Sequence, residues 1–297
     1  MDALKFTLAI LAIAGCWRPF SWTSLIKHTL YNAYSLLIIS LLYSYTLTQF
    51  MNFVLNVNNP DDFTNVVYLM LTLFSSCYKI LDLWVNHKSL AELIQNLTEG
   101  TFKPLVPVEI EIRRKFDKVI QNNAMCYAML VAVSCAFQIL VSLLTNFRKR
   151  QLTFGGWIPY DYSSFVMFSL TYAHQIVGGV ASCIINVACD CLIVGLLLHL
   201  CCQITILESR LKEIFIYCWF GNKLKLMSFQ LVDNIFETEW IALDNKTKRS
   251  LLIIMNRAMR PIEFTHTAHI LNMNLDSFVA LLKTSYSAYN LLVKIQE

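Results

Sequence analysis

The residues of this chain with the most chemically suggestive spacing do not make or break bonds; they form a polar seam. Counting from His269, the residues Asn272, Asp276, Lys283, Ser287, Asn290 and Lys294 follow at offsets of 3, 7, 14, 18, 21 and 25. At about 100° per residue, all fall within a narrow arc of one helix face. The other faces hold Ile270, Leu271, Leu275, Phe278, Val279, Leu281, Leu282, Leu291 and Leu292. Charged groups at membrane depth are costly unless they face a water-filled cavity or a partner. One helix cannot enclose water, whereas several copies around an axis can. The stripe therefore predicts a pore-lining helix of an oligomeric channel, against the plainer reading of a polar seam buried inside one bundle.

Other chemistries find little support. The chain has no phosphate-cradling loop, zinc-protease helix, Gly-x-Ser-x-Gly elbow or dinucleotide fingerprint, so catalytic residues and cofactors are not expected. Of the ten cysteines, Cys77, Cys126, Cys135 and Cys183 lie in apolar runs, where a thiol acts as a small apolar residue. Cys189, Cys191, Cys201 and Cys202 cluster further on, without a second ligand pair at zinc spacing. Asp190 and His199 read as interfacial anchors or hydrogen-bonding groups rather than a proton relay. No basic stripe suits nucleic acid.

The elements that must carry the seam follow from composition. The chain has 297 residues, 56% of them hydrophobic and 15% charged, with a mean hydropathy of +0.51. A soluble globule is excluded. Stretches free of Asp, Glu, Lys and Arg cover 29–60, 63–78, 119–147, 162–189 and 191–207. A membrane span needs about 20 apolar residues. Four clear spans result: Leu30–Val54, Phe63–Val85, Ile120–Thr145 and a longer one from about Ser163 to Gln203. The striped helix, about His269–Val293, is the fifth. The fold class expected is thus an all-α, polytopic helical membrane protein. Lys79 and Asp82, one turn apart, are expected to pair at the membrane edge.

Charge sets the orientation. With the N-terminus in the cytosol, the inner segments 1–29, 86–118 and 208–260 hold eighteen Lys and Arg, and the outer segments hold three, Arg148, Lys149 and Arg150. That positive-inside bias opposes the topology of heptahelical G-protein-type receptors and leaves the C-terminus extracellular. The sequons at Asn96 and Asn245 fall inside and should carry no glycan.

The expected organisation is a cytosolic juxtamembrane segment (1–29), four spans (30–203), a cytosolic helical anchor region (204–266) and the pore helix (267–297). In the first segment, Phe6–Gly15 is too short to span. It reads as an amphipathic helix on the inner leaflet, with Trp17, Phe20 and Trp22 at the interface. Asn58-Asn-Pro60-Asp-Asp62 marks a tight turn, and Thr153–Tyr162 reads as a structured lid. Gly178, Gly179 and Gly195 allow close helix packing. In the anchor region, Tyr217–Asn222 reads as an aromatic cluster ending in a turn, followed by helices over Ser228–Trp240 and Lys248–Met259.

Three stretches resemble the insect odorant receptors. Trp157-Ile-Pro159-Tyr-Asp161 resembles the second outer loop of that family. Asp190, Gly195-Leu-Leu-Leu-His199, Gln203, Leu207 and Arg210-Leu211 resemble its fourth segment. Tyr217-Cys-Trp-Phe-Gly-Asn222, Ser228, Trp240, Arg257, Arg260-Pro261 and Lys283-Thr-Ser285-Tyr-Ser287 resemble its C-terminal block. The resemblance implies a subunit built on a seven-span pattern that assembles with an obligate co-receptor, as a tetramer, into an odorant-gated non-selective cation channel. Its home would be the plasma membrane of an olfactory sensory neuron, its ligand a small volatile apolar molecule. By the same resemblance, Leu291, Lys294 and Ile295 narrow the pore that Asp276, Lys283, Ser287 and Asn290 line. Tyr68, Tyr78, Phe137, Phe168 and Tyr172 are candidates to wall the odorant pocket. The related gustatory receptors, and a transporter with a midplane site, are the alternatives; near charge-free spans weigh against the transporter. The chain departs from the family where Ile214-Phe-Ile joins directly to Tyr217. The family's fifth and sixth spans belong there, leaving about five spans.

Overall fold

The computed structural model describes residues 4–18, 25–56, 60–98, 103–239, 242–260 and 272–296. The elements are α1 (Lys5–Ile13), α2 (Leu25–Asn56), α3 (Pro60–Val85), α4 (His87–Thr98), α5 (Pro107–Ser142) with a π-helical turn at Leu143–Phe147, α6 (Phe165–Glu237), α7 (Asn245–Ala258) and α8 (Leu275–Gln296). Their ends follow local chemistry. α1 stops at Gly15, whose φ of +75° admits the left-handed turn; the Cys16 N–H then donates to the Leu11 carbonyl at 2.9 Å. α3 and α5 open on prolines, whose missing N–H costs nothing in a first turn. Asp244 caps α7 by accepting from the N–H groups of Lys246 and Thr247.

Four helical stretches among the described residues are long and apolar enough to cross a membrane: Leu25–Leu55, Val66–Val85, Pro107–Phe147 and Phe165–Glu237. They coincide with the four spans read from the sequence. α8 is not one of them, since its polar stripe dilutes its hydropathy. It also begins later than expected, at Leu275, where the Asn274 side chain accepts from the Ser277 N–H at 2.8 Å. Asn272 therefore precedes the helix, and His269 lies outside the described residues.

The chain divides into two units, Met1–Gln203 and Ile204–Glu297. In the first, one core draws on six helices: Leu11 of α1, Leu42 and Tyr45 of α2, Leu73 and Ile80 of α3, Ile94 of α4, Ile120 of α5, and Ile185 and Leu192 of α6. Polar contacts accompany it along the α3–α6 seam. Ser76 and Ser182 hydroxyls lie 2.6 Å apart, and the Asn186 amide donates to Ser76 Oγ at 2.6 Å. The Lys79 ammonium meets Asp190 at 2.6 Å. Lys79 thus bonds across to α6 rather than to Asp82, which instead accepts from Asn86. An i,i+3 partner on an exposed helix edge is worth only about 0.2–0.5 kcal/mol, less than a partly desolvated ion pair on a facing helix. His199 is anchored as expected, with Nε2 3.1 Å from the buried Leu97 carbonyl.

α1 is anchored to the protein along one face: Thr7 and Leu11 are buried, and Leu4 sits where a side chain at Gly195 would be, 2.7 Å from the position of a Cβ, while Lys5, Phe6, Ala9 and Ile13 stay exposed on the other. Tyr31 and Ser35 of α2 donate to the Ala12 and Gly15 carbonyls. Trp17 is likewise buried, with its ring centroid 4.4 Å from that of His87. Amphipathicity fixed a buried face for α1; it did not say whether lipid or protein covers that face. Phe20 and Trp22 lie outside the described residues.

In the second unit, Val232, Ile235 and Met255 form a small core with Leu251 and Ala258. The expected turn after Tyr217 is absent, because α6 runs unbroken through Gly221 and Asn222. Gly221 serves packing instead: a Cβ there would collide with the Met273 carbonyl, so the glycine lets the segment ahead of α8 lie against the helix.

Candidate functional site

A cavity of about 800 Å³ opens inside the first unit between α2, α3, α5 and α6. α2 contributes Tyr45 and Gln49, α3 Tyr68, Leu69 and Thr72, α5 Cys135 and Ile139, and α6 Ile176, Gly179 and Cys183. Two adjacent glycines shape it. A Cβ on Gly178 would meet the Tyr45 ring at 2.8 Å, so that glycine seats the tyrosine, while a Cβ on Gly179 would meet nothing within 4 Å.

The cavity is roofed by the α5–α6 loop, through Thr153, Phe154 and Gly155. Gln49 donates to the Phe154 and Gly155 carbonyls at 3.2 and 3.1 Å, and Gln175 donates to the same Gly155 oxygen at 2.9 Å. The Trp157 N–H donates to the Thr48 carbonyl at 3.3 Å. Ser142 bridges Thr153 and the Tyr172 hydroxyl, and Tyr160 bonds Thr171 at 2.8 Å. Arg150 stands over the Phe165 ring, 5.7 Å from its centroid. The loop is the structured lid that its turn and aromatic residues suggested.

Among the described residues, no charged side chain lines the cavity. Charge in a low-dielectric wall would favour an ionic ligand; this wall favours a neutral, mainly apolar one. The size suits a small organic molecule.

The five residues singled out for a pocket take different places. Tyr68 lines the cavity. Phe168 and Tyr172 are buried in an aromatic cluster with Phe147, centroids 5.6 and 5.0 Å away, beside the lid. Tyr78 and Phe137 are exposed, at 70% and 66% of their surface, and do not line it. Sequence reasoning passed over Tyr45, Gln49 and Gln175. The signal available was two glutamines in otherwise charge-free spans, since polar groups at membrane depth tend to mark function.

α8 places Asp276, Lys283, Ser287, Asn290 and Lys294 along one helix. Every residue from Leu282 to Ile295, Leu291 and Ile295 included, is exposed. The start of α8 is partly covered, with the Phe278 ring 5.4 Å from that of Phe215; beyond Leu281, nothing among the described residues covers it.

The family model described as 7tm Odorant receptor matches residues 59–215 and 211–286. The two matches meet at the junction where Ile214-Phe-Ile joins Tyr217. The mosquito Odorant receptor Or1 of Anopheles gambiae is 26% identical over 220 residues, which cover 72% of this chain and 51% of that protein. Odorant receptor 10 of Aedes albopictus is 32% identical over 85 residues, 29% of this chain and 22% of that one. The chain thus spans about half the length of the first of these relatives. The insect olfactory receptor OR5 of Machilis hrabei shares the fold, with a TM-score of 0.53 and 14% identity over 98% of this chain and 97% of that one. Its complex with eugenol gives 0.54 at the same identity and coverage. With most of its length matched by the family model, this helical membrane protein belongs to the insect odorant receptor family.

Proposed function

We propose that the chain is a ligand-binding subunit of an odorant-gated, non-selective cation channel that acts with a co-receptor in the plasma membrane of an olfactory neuron. The single observation that carries this is the neutral cavity roofed by a hydrogen-bonded loop. A volatile apolar ligand that binds the open arrangement better than the closed one shifts the population toward opening. Burying about 200 Å² more apolar surface in the open state supplies about 5 kcal/mol, enough to swing a two-state gate.

In this reading the N-terminus is cytosolic, the lid faces outward and the α8 stripe lines the pore. The Lys294 stem turns its ammonium toward outer water, which spares permeating cations its charge. The family's fifth and sixth spans would buttress the pore helix and help wall the pocket. Without them between Phe215 and Tyr217, the subunit binds ligand but passes little current. Patch-clamp with the co-receptor tests this by comparing the 297-residue chain with a form carrying two apolar spans at that junction. Currents of equal size from both forms would remove the claim of impairment. Cysteine substitution at Asp276, Lys283, Ser287 and Asn290 tests the pore. Thiol reagents should reach these positions faster than Leu281 or Leu282; equal rates would exclude a water-filled conduit.

A further inference from the structure

Where α2 meets the lid, away from the Gln138 amide on α5, the cavity wall has an imbalance in its hydrogen-bonding groups. The nearby hydroxyl donors are spent: Thr72 donates to the Tyr68 carbonyl at 2.9 Å, Ser182 pairs with Ser76, and Thr153 pairs with Ser142. The Gln49 amide donates to both the Phe154 and Gly155 carbonyls of the lid, and the Gln175 amide donates to Gly155. Three polar atoms beside them have no hydrogen-bond partner: Gln49 Oε1, Gln175 Oε1 and the Tyr45 hydroxyl. These side chains are only 1%, 3% and 0% exposed, so bulk water does not serve them. Two of the three atoms are pure acceptors, and the third both donates and accepts. A buried acceptor left without a donor is costly.

Resting on the reading of this cavity as a ligand site, we propose that it selects neutral apolar molecules carrying a hydroxyl group, with Gln49 and Tyr45 as the groups that read it. An ether, ester or hydrocarbon brings no donor to these buried acceptors. An ammonium brings donors, but its charge meets no carboxylate among the lining residues. Of these four classes and the alcohols, the alcohol alone supplies a proton without a charge. Tyr45 and Gln49 are one helical turn apart on α2, which sets both on the cavity face.

The test uses the full chain in lipid nanodiscs. It reads site-resolved alkylation of Cys135 and Cys183, two thiols in the cavity wall. Octanol, octyl methyl ether and octane compete at equal mole fractions in the bilayer. Octanol is expected to protect both thiols at roughly one tenth the concentration the other two need, which is about 1.4 kcal/mol. Gln49→Met and Tyr45→Phe should each shrink that advantage while leaving octane protection in place. If Gln49→Met fails to fold, Tyr45→Phe carries the test, because it removes one oxygen and keeps the ring against Gly178. Equal protection by all three compounds, as when water serves the acceptors, overturns the proposal and leaves the ligand site standing. An ether as potent as the alcohol also overturns it. An octanol advantage that survives both substitutions refutes the assignment to these residues. Protection by none of the three removes the ligand site itself, and the selectivity with it.

Discussion

The two units of this chain solve burial differently. Up to Gln203, six helices share one core in which Leu11, Leu42, Tyr45 and Ile185 have no exposed surface. Beside it, polar groups such as Lys79 and Asp190 pair across helices. From Ile204 onward the core shrinks to Val232, Ile235, Met255 and their neighbours. Large apolar side chains stay exposed in both units, Phe220 and Ile253 at 61% and 70% in the second, Leu130 and Val133 at 66% and 69% in the first. Apolar exposure on that scale marks surfaces meant for lipid or for other subunits. The first unit thus encloses a cavity by itself. The second has a smaller core of its own.

The comparison is broken most easily in the core. Leu42→Ala should cost about 3 kcal/mol, as buried large-to-small changes do, while Leu291→Ala should stay within about 0.5 kcal/mol. Thermal unfolding of the detergent-solubilised single chain checks both, and comparable losses would erase the distinction. Asp190→Ala comes next. It strands the Lys79 ammonium at a cost of about 2 kcal/mol, below the 3–5 of fully buried pairs, because both side chains retain some exposure. Adding Lys79→Met should recover most of that loss, a coupling that a double-mutant cycle reads directly.

In the second unit, Gly221→Ala should push the Met273 segment off α6, at roughly 1 kcal/mol. Hydrogen exchange at Ser277 and Phe278 should speed up while the first unit is unmoved.

The smallest effect concerns pH. Burial, helped by nearby Arg18, holds the His87 imidazole below its ordinary value of 6.5. The unfolded chain then takes up its proton first as pH falls. Stability present above 6.5 is accordingly lost on acidification below it. His87→Phe should remove that slope, which Trp17 fluorescence can follow through its stacked ring.

Much of this architecture is legible in the sequence because membrane burial writes itself locally. Charge-free runs located the apolar part of four helices, though α6 continues to Glu237, well past the expected Gln203, and α5 opens at Pro107, ahead of Ile120; turn residues with aromatics announced the lid. Two features escaped for one shared reason. Lys79 chose Asp190, far along the chain, over Asp82 three residues away. Tyr217–Asn222 stayed helical because Gly221 was needed for contact rather than for a turn. Each outcome depends on what lies across a gap, which periodicity along one strand of sequence does not encode. Of the cavity, the aromatic Tyr68 was found by depth; Tyr45 and Gln49 were hidden as ordinary members of an apolar span.

The carbonyl of Gly155 is claimed by two amides, one from α2 and one from α6. The roof is therefore also a crossbar. Drawing those helices apart and lifting the loop are a single mechanical event, because either motion must break the same shared carbonyl free.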